Sequence, residues 1–351
     1  MRVLVTGASG NVGTSLLASL AREDAVDEIV GVARRRPSLT LPKVRWERAD
    51  VAESELSGLF RGADAVVHLA WLIQPSRDES TTRRVNVDRS ARVFEAVAQA
   101  GVPVLVYASS IGAYAPGPAG PPVDENWPVT GIPSSFYSRH KAAVERLLDD
   151  FELRHEEVRV VRLRPALCFK AGAATGIRRL FIGPLLPSPL LRREWLPVLP
   201  WPRGLRTQAV HSDDVGDAYR LAVMRDVRGA FNIAADPVLD ASSVAAALGA
   251  RPVQIPARLV RAAAEASWRL RLQPTSPDWL DLGMRTPLMD TSRARTELGF
   301  SPRHSALDAM LELLDGIRRS DGTPTPPLAP RTSGPARVRE LLSGIGGTDR
   351  A

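Results

Sequence analysis

Short apolar runs alternate along this chain with longer stretches in which apolar residues recur every three or four positions. The short runs are "RVLVTG" (2–7), "EIVGVA" (28–33), "DAVVHLA" (64–70), "PVLVYAS" (103–109) and "VRVVRLRP" (158–165). Their near-continuous Val and Leu predict strands buried on both faces, as in a parallel sheet covered by helices. Between the first two, "NVGTSLLASLARE" (11–23) sets Val12, Leu16, Leu17 and Leu20 on one helical face. Further helices are predicted over 79–100 and 135–151. In the second, Phe136, Val144, Leu147, Leu148 and Phe151 form the stripe, and Ser134 or Ser135 is the N-cap. Strand and helix in alternation predict a doubly wound α/β domain.

After Pro165 the pattern changes. The stretch 171–206 is rich in Pro, Leu and Arg, and its prolines keep it from being one regular element. "TQAVH" then predicts a strand, "SDDVGDAYRLAVM" a helix capped by Ser212, and "GAFNIAA" another strand. The remainder to about 318 reads as helical, and from "SDGTPTPPLAPRTSGPARV" the composition is that of a linker, with a short helix near 335–343. The expected organisation is a first domain over 1–165, rejoined by 207–235. A smaller, mostly helical substrate subdomain takes 166–206 and 236–318, and a linker-like tail takes 319–351. No internal repeat occurs.

Composition narrows the function classes. No run of about 18 uninterrupted apolar residues exists, so no membrane span is expected. The net charge is +7, yet of 46 basic residues only Lys43, Lys141 and Lys170 are lysine. The densest basic run, "ARRRP" (33–37), is too short for a nucleic-acid arm, and no zinc finger or RNP-like motif accompanies it. His68, His140, His155, His211 and His304 are scattered without HExxH or CxxC spacing, so no metal is expected. A single cysteine, Cys168, excludes an internal disulfide, and the N-terminus has no signal-peptide pattern; a cytoplasmic protein is expected.

"TGASGNVG" places Gly7, Gly10 and Gly13 after the first strand and at the opening of the first helix. Gly7 permits a sharp turn, Gly10 lets backbone amides approach a pyrophosphate, and Gly13 permits close helix–strand packing. Ser9, Asn11 and Val12 complete the expected dinucleotide contacts. The second strand ends in Arg34, Arg35 and Arg36, where a carboxylate would mark NAD. Arginine pairs with a 2′-phosphate instead, so Arg34 and Arg35 favour NADP(H), with NAD as the alternative.

In "YSRHK" Tyr137 and Lys141 stand four residues apart on one helix face. A free phenol is a poor base at neutral pH, and a nearby ammonium lowers its pKa. Lysine's compact head can also reach a nicotinamide ribose, which arginine's fork does less well. A chain that uses arginine nearly everywhere keeps lysine here. The strand end "VYASSIGAY" supplies hydroxyls at Ser109 and Ser110.

The GxxGxxG spacing together with "YSRHK", "HSDDV" and "TSRARTELGFSPR" resembles the extended short-chain dehydrogenases/reductases, the NAD-dependent epimerase/dehydratase family, over about residues 1–318. The resemblance implies a Rossmann-like first domain and a catalytic hydroxyl at the second serine, Ser110. Ser110 would bond the substrate oxygen and Tyr137 would exchange the proton, while hydride passes between substrate carbon and nicotinamide C4. Asn86 in "RRVNVDRS" matches an asparagine that helps order such sites. Asp50 and Val51 resemble the adenine contact, Leu69 and Ala70 the cofactor-flanking turn, and Pro165, Ala166 and Leu167 the segment passing the nicotinamide. His68 is expected to pack in the sheet, and Asp213 and Asp214 to be first-turn carboxylates. The implied partner is a small-molecule substrate, with a homodimer left open. Residues 115–133 look like a lid. Around 176–206, Arg178–Arg179 and Arg192–Arg193 suit a diphosphate and Trp195, Trp201 and the leucines a non-sugar substrate, or both are a subdomain core with a solvated rim. Three functions stay open: an NADP(H)-dependent reductase or dehydrogenase, a nucleotide-sugar epimerase or dehydratase that retains its NAD, and a non-catalytic dinucleotide sensor.

Overall fold

The apolar runs of the first half become neighbouring strands in the computed structural model, which describes residues 1–51, 53–73, 79–118, 120–182, 197–273 and 275–329. In chain order the strands are β1 (Arg2–Thr6), β2 (Glu28–Ala33), β3 (Val44–Arg48), β4 (Ala65–His68), β5 (Val104–Ala108), β6 (Arg159–Pro165), β7 (Leu167–Phe169), β8 (Val198–Pro202), β9 (Thr207–His211), β10 (Gly229–Ile233), β11 (Ala235–Leu239) and β12 (Arg251–Ile255). Seven form one parallel sheet in the order β10-β6-β5-β4-β1-β2-β3. The pleat sends alternate residues to opposite faces. Val3 and Val5 therefore join Leu16, Leu17 and Leu20 on one side. Leu4, Val30 and Val66 join Phe94, Leu148 and Phe151 on the other. The strand order reverses between β1 and β4, which opens a crevice at their carboxyl ends.

Several elements differ from the pattern-based expectations. β3, "VRWER", is an edge strand whose charged positions mask its register, although Trp46 packs its ring where a Cβ on Gly31 would lie 2.8 Å away. The helix expected over 79–100 is broken into Glu79–Arg83, a π-turn Arg84–Asp88 and a helix Arg89–Gln99. The next helix runs Phe136–Arg154 with Ser135 as its cap, accepting from Ser138 N at 3.4 Å. Ser212 is not a cap: His211 Nδ1 accepts from Asp213 N at 3.2 Å, and Ser212 is the first helical residue of Ser212–Met224.

β9 does not enter the main sheet. It pairs with β7 in parallel and with β11 antiparallel, and only β10 returns to the main sheet beside β6. The helix Ser212–Met224 packs so closely on Asn11–Ala21 that a Cβ on Gly216 would lie 2.7 Å from the Ser15 carbonyl carbon. Beyond it, β8 and β12 form a parallel pair, and the helices Ala257–Arg269 and Asp278–Arg285 contain no buried residue.

The tail is the largest departure from expectation. Residues 319–329 are packed rather than linker-like. Thr325 is 1% and Leu328 5% exposed, and Thr175 Oγ1 donates to Asp321 O at 2.7 Å. Threonine and proline composition mimics a linker, but Thr323 Oγ1 and Thr325 Oγ1 each donate to a backbone carbonyl. Trp195, Arg192–Arg193 and the stretch near 335–343 lie outside the described residues. Among the described residues no helix is long and apolar enough to cross a membrane.

Candidate active site

The glycine loop sits at the crevice between β1 and β4. Gly7 has φ +71°, and a Cβ there would lie 2.6 Å from Ala70 N, so both conformation and space demand glycine. A Cβ on Gly13 would lie 2.5 Å from Gly7 O. Gly10 caps the helix Asn11–Ala21 without a side chain, and no acidic residue stands in its first turn. The first-turn amides and the helix dipole are thus left for an anion, and the cradle fits a dinucleotide's pyrophosphate. Asn11 Nδ2 donates to Cys168 O at 3.0 Å, Ser9 O accepts from Thr325 Oγ1 at 2.8 Å, and Val12 packs on the core. Leu69 and Ala70 back directly onto Gly7. Arg34, Arg35 and Arg36 are exposed at the end of β2. Asp50 lies 3.5 Å from Arg89 Nη1, and Val51 packs on the apolar face behind it.

Ser110 and Tyr137 meet around a glycine. Ser110 Oγ accepts from Gly112 N at 3.0 Å, and a Cβ on Gly112 would lie 2.9 Å from Tyr137 Cε1 and 3.4 Å from Ser110 Oγ. Tyr137 keeps an accessible edge, yet burial pushes its phenol up to about 12, against the opposing pull of a hydrogen bond from Ser110. One turn on, Lys141 is 3% exposed; its Nζ donates to Ala108 O at 2.6 Å and lies 3.5 Å from the Trp71 ring centroid. Burial drives its pKa well below the ordinary lysine value, with Glu145 opposing. The ammonium is 6.0 Å from the Tyr137 ring centroid. The expected lowering of the phenol by Lys141 is therefore not what this geometry gives. Lys141 spends its charge on Trp71 and a carbonyl, and Ser110 is the group that opposes the rise.

Asn86 is buried in the π-turn Arg84–Asp88. Its Oδ1 accepts from Leu72 N at 2.7 Å and its Nδ2 donates to Leu72 O at 3.0 Å, which clamps the loop after β4 that carries Trp71. His68 packs in the sheet, bonded to Thr6 Oγ1 at 2.7 Å and Ser90 Oγ at 3.0 Å. Ala166 N donates to Ile233 O at 2.9 Å as the chain passes from Pro165 into β7, and Leu167 is exposed. The 115–133 segment is pinned rather than loose: Gly117 N donates to Arg285 O at 2.8 Å and Val123 N to Leu288 O at 2.8 Å. Asp213 accepts from Ser15 Oγ at 2.6 Å and Asp214 pairs with Arg303 and His304. Among the described residues no three His, Cys, Asp or Glu side chains gather as a metal site.

Two groups escaped the sequence reading. Beneath the site, Glu145 accepts from Ser109 Oγ at 2.5 Å, Arg162 Nη1 at 3.0 Å and Arg164 Nε at 2.9 Å. Burial opposes its ionisation, but Arg164, Arg162 and Ser109 more than offset this and hold it at about 2. Glu145 was detectable, since it stands four residues past Lys141 on the same face. Above the site, the Trp279 ring lies 5.2 Å from Tyr137 and Trp71 5.9 Å, and Phe181 meets Trp279 edge-on at 4.9 Å. No local spacing connects Trp279 to Tyr137.

The sequence pattern of the NAD dependent epimerase/dehydratase family matches residues 3–234. An uncharacterized protein of Mycobacterium tuberculosis is 28% identical over 321 residues, 91% of this chain but 30% of that protein's length. The UDP-glucose 4-epimerase of Mycolicibacterium smegmatis is 32% identical over 160 residues, covering 42% of this chain and 50% of that one. The solved structure of MoeE5 in complex with UDP-glucuronic acid and NAD superposes with a TM-score of 0.68 at 26% identity, over 91% of this chain and 100% of that one.

Proposed function

The chain belongs to the NAD-dependent epimerase/dehydratase family of enzymes, and from this premise we propose that it interconverts a secondary alcohol and a carbonyl, with Tyr137 as its acid–base group. The observation that carries the proposal is the meeting of Ser110 and Tyr137 around Gly112, on the same crevice edge as the glycine cradle. A nicotinamide dinucleotide held in that cradle supplies the hydride acceptor or donor. The chain's own residues do the rest. Gly7, Gly10 and Gly13 let the backbone approach the pyrophosphate. Ser110, oriented by the Gly112 amide, hydrogen-bonds the substrate oxygen. With its pKa raised to about 12, Tyr137 is protonated at neutral pH, so it donates to a carbonyl oxygen as that oxygen gains charge. In the reverse direction the phenolate left by that donation takes the alcohol proton back. Asn86 fixes the loop bearing Trp71, and Trp71 in turn faces Lys141.

Two finer points belong to this proposal. Arg34 and Arg35 support a preference for a 2′-phosphorylated dinucleotide, since no carboxylate ends β2 to repel it. Against that, MoeE5 holds NAD and a UDP-sugar, and this favours a second reading, a nucleotide-sugar epimerase that keeps its NAD. Titration calorimetry with NADP(H) and NAD(H) separates them.

The test of the acid–base role is Tyr137→Phe, assayed on a panel of UDP-sugars and secondary alcohols. Turnover is expected to fall about 100- to 10,000-fold while dinucleotide affinity stays unchanged. Full activity in that variant would place the proton transfer elsewhere.

A further inference from the structure

Residues 320–329 lie outside the family match, and they bond both to the glycine loop after β1 and to the loop after β2. Thr325 Oγ1 donates to Ser9 O at 2.8 Å. The same Ser9–Gly10 peptide is held on its other side, where Gly10 N donates to Gly7 O at 3.0 Å. Its plane is therefore fixed at carbonyl and amide alike, immediately before the uncapped helix turn. One residue earlier, Pro324 O accepts from Ser38 Oγ at 3.2 Å, in the loop that follows Arg34–Arg36 after β2.

We propose that this strap is part of the dinucleotide site, and that Thr325 is a positioning residue which sets the glycine loop and retains the bound dinucleotide. The proposal rests on the reading that a dinucleotide occupies the cradle. The glycine loop and the loop after β2 are the two sides between which the adenosine half of a dinucleotide lies in a doubly wound sheet. The strap ties these sides together. It is itself well held. Thr323 Oγ1 donates to Gly172 O at 3.0 Å, Arg179 Nη2 to Pro327 O at 3.2 Å, and Leu328 N to Thr325 O at 3.0 Å. Leu328 is 5% exposed and Thr325 1%. A hydroxyl so enclosed, donating to the phosphate loop from more than 300 residues away, acts through that loop rather than on substrate. Release of the dinucleotide then requires the Thr325 and Ser38 bonds to open.

The experiment is stopped-flow displacement of NADH and of NADPH from the full chain, followed by nicotinamide fluorescence. Thr325→Val keeps the shape and removes the donor; Thr325→Ser restores it. Ser38→Ala tests the second tie independently. Release is expected to quicken about fivefold in Thr325→Val and in Ser38→Ala, with Thr325→Ser near the parent rate and circular dichroism unchanged in all three. Parent-like release from Thr325→Val overturns the strap alone. Slower release from Thr325→Val also overturns it, because the strap would then compete with the dinucleotide. A parent chain that binds neither dinucleotide overturns the underlying reading, and the strap's role with it.

Discussion

The floor and the roof of the site are built from opposite materials. Under Tyr137 and Lys141 the contacts are ionic and sealed: Glu145 is 1%, Arg164 4% and Arg162 5% exposed, and every one of them stands on the helix or strand of the first domain. Over Tyr137 the contacts are aromatic and partly open, and Trp279 arrives on a helix that buries no residue at all. A buried carboxylate between two guanidinium groups tolerates no change of partner. An aromatic contact from a half-exposed helix tolerates several. In the proposed reaction the floor would fix where the reacting oxygen and proton sit, while the roof would be free to vary with what is brought to them.

The largest effect should come from breaking the floor. Glu145→Ala leaves Arg162 and Arg164 buried without their shared carboxylate and Ser109 without its acceptor. Removing one partner of a buried pair costs about 3–5 kcal/mol, so the urea midpoint should fall sharply. Glu145→Gln keeps a hydrogen-bonding shape and should lose less. A Glu145→Ala variant as stable as the parent would mean that floor and roof do not differ in the way the contacts indicate.

Acid should weaken the sheet around His68 and the Glu145 cluster beneath the site. Burial, with Lys141 adding to it, holds His68 at about 3 against an ordinary 6.5, and Glu145 sits at about 2 against 4.5. Both folded values are depressed. Between pH 6.5 and 3 the unfolded chain takes up a proton that folded His68 refuses, so stability falls as pH falls. Glu145 adds its loss between 4.5 and 2. Asp278, at the start of the roof helix, has its pKa raised by burial and works the other way, gaining stability as pH falls toward its unfolded value. Urea unfolding at about pH 7, 5.5 and 5 checks this: His68→Gln should flatten the slope across that range. An unchanged slope would locate the acid sensitivity outside the sheet.

The same division explains what could be read from the sequence. Gly7, Gly10 and Gly13, and Tyr137 with Lys141, are local patterns on a strand–turn–helix and on one helix face, so spacing alone exposes them. The parallel sheet followed from Val and Leu runs, but β3 did not, because Arg45, Glu47 and Arg48 break up its apolar positions at the edge. Arg162 and Arg164 sit two apart in β6 among buried Val160, Val161 and Leu163, and this was a signal for a buried charge partner that passed unused. Ser110, Tyr137 and Trp279 come together only through tertiary packing, which no window of sequence contains. The tail misled because threonine and proline are linker residues by composition, whereas Thr323 and Thr325 each find a distant carbonyl. Lys141 misled in a subtler way. The spacing placed it on the face of Tyr137, but its ammonium turns to Ala108 O and Trp71, a choice set by residues far away in the chain.

The smallest effect should come from trimming the roof. Trp279→Leu removes a ring that lies 5.2 Å from Tyr137 and that Phe181 and Phe136 meet edge-on. Aromatic pairs contribute about 0.5–1.5 kcal/mol beyond the area they bury, and the helix Asp278–Arg285 has no buried residue to lose with it. Melting should therefore shift little. If the roof only receives the substrate, KM should rise roughly two- to tenfold with kcat held, because binding is lost equally in ground state and transition state. The Tyr137 ring would keep its packing beside Gly112 and Ser110. A fall in kcat with KM unchanged would mean instead that Trp279 holds the phenol in its reacting position. The roof would then share the work of the floor, and the contrast between them would be one of material and not of role.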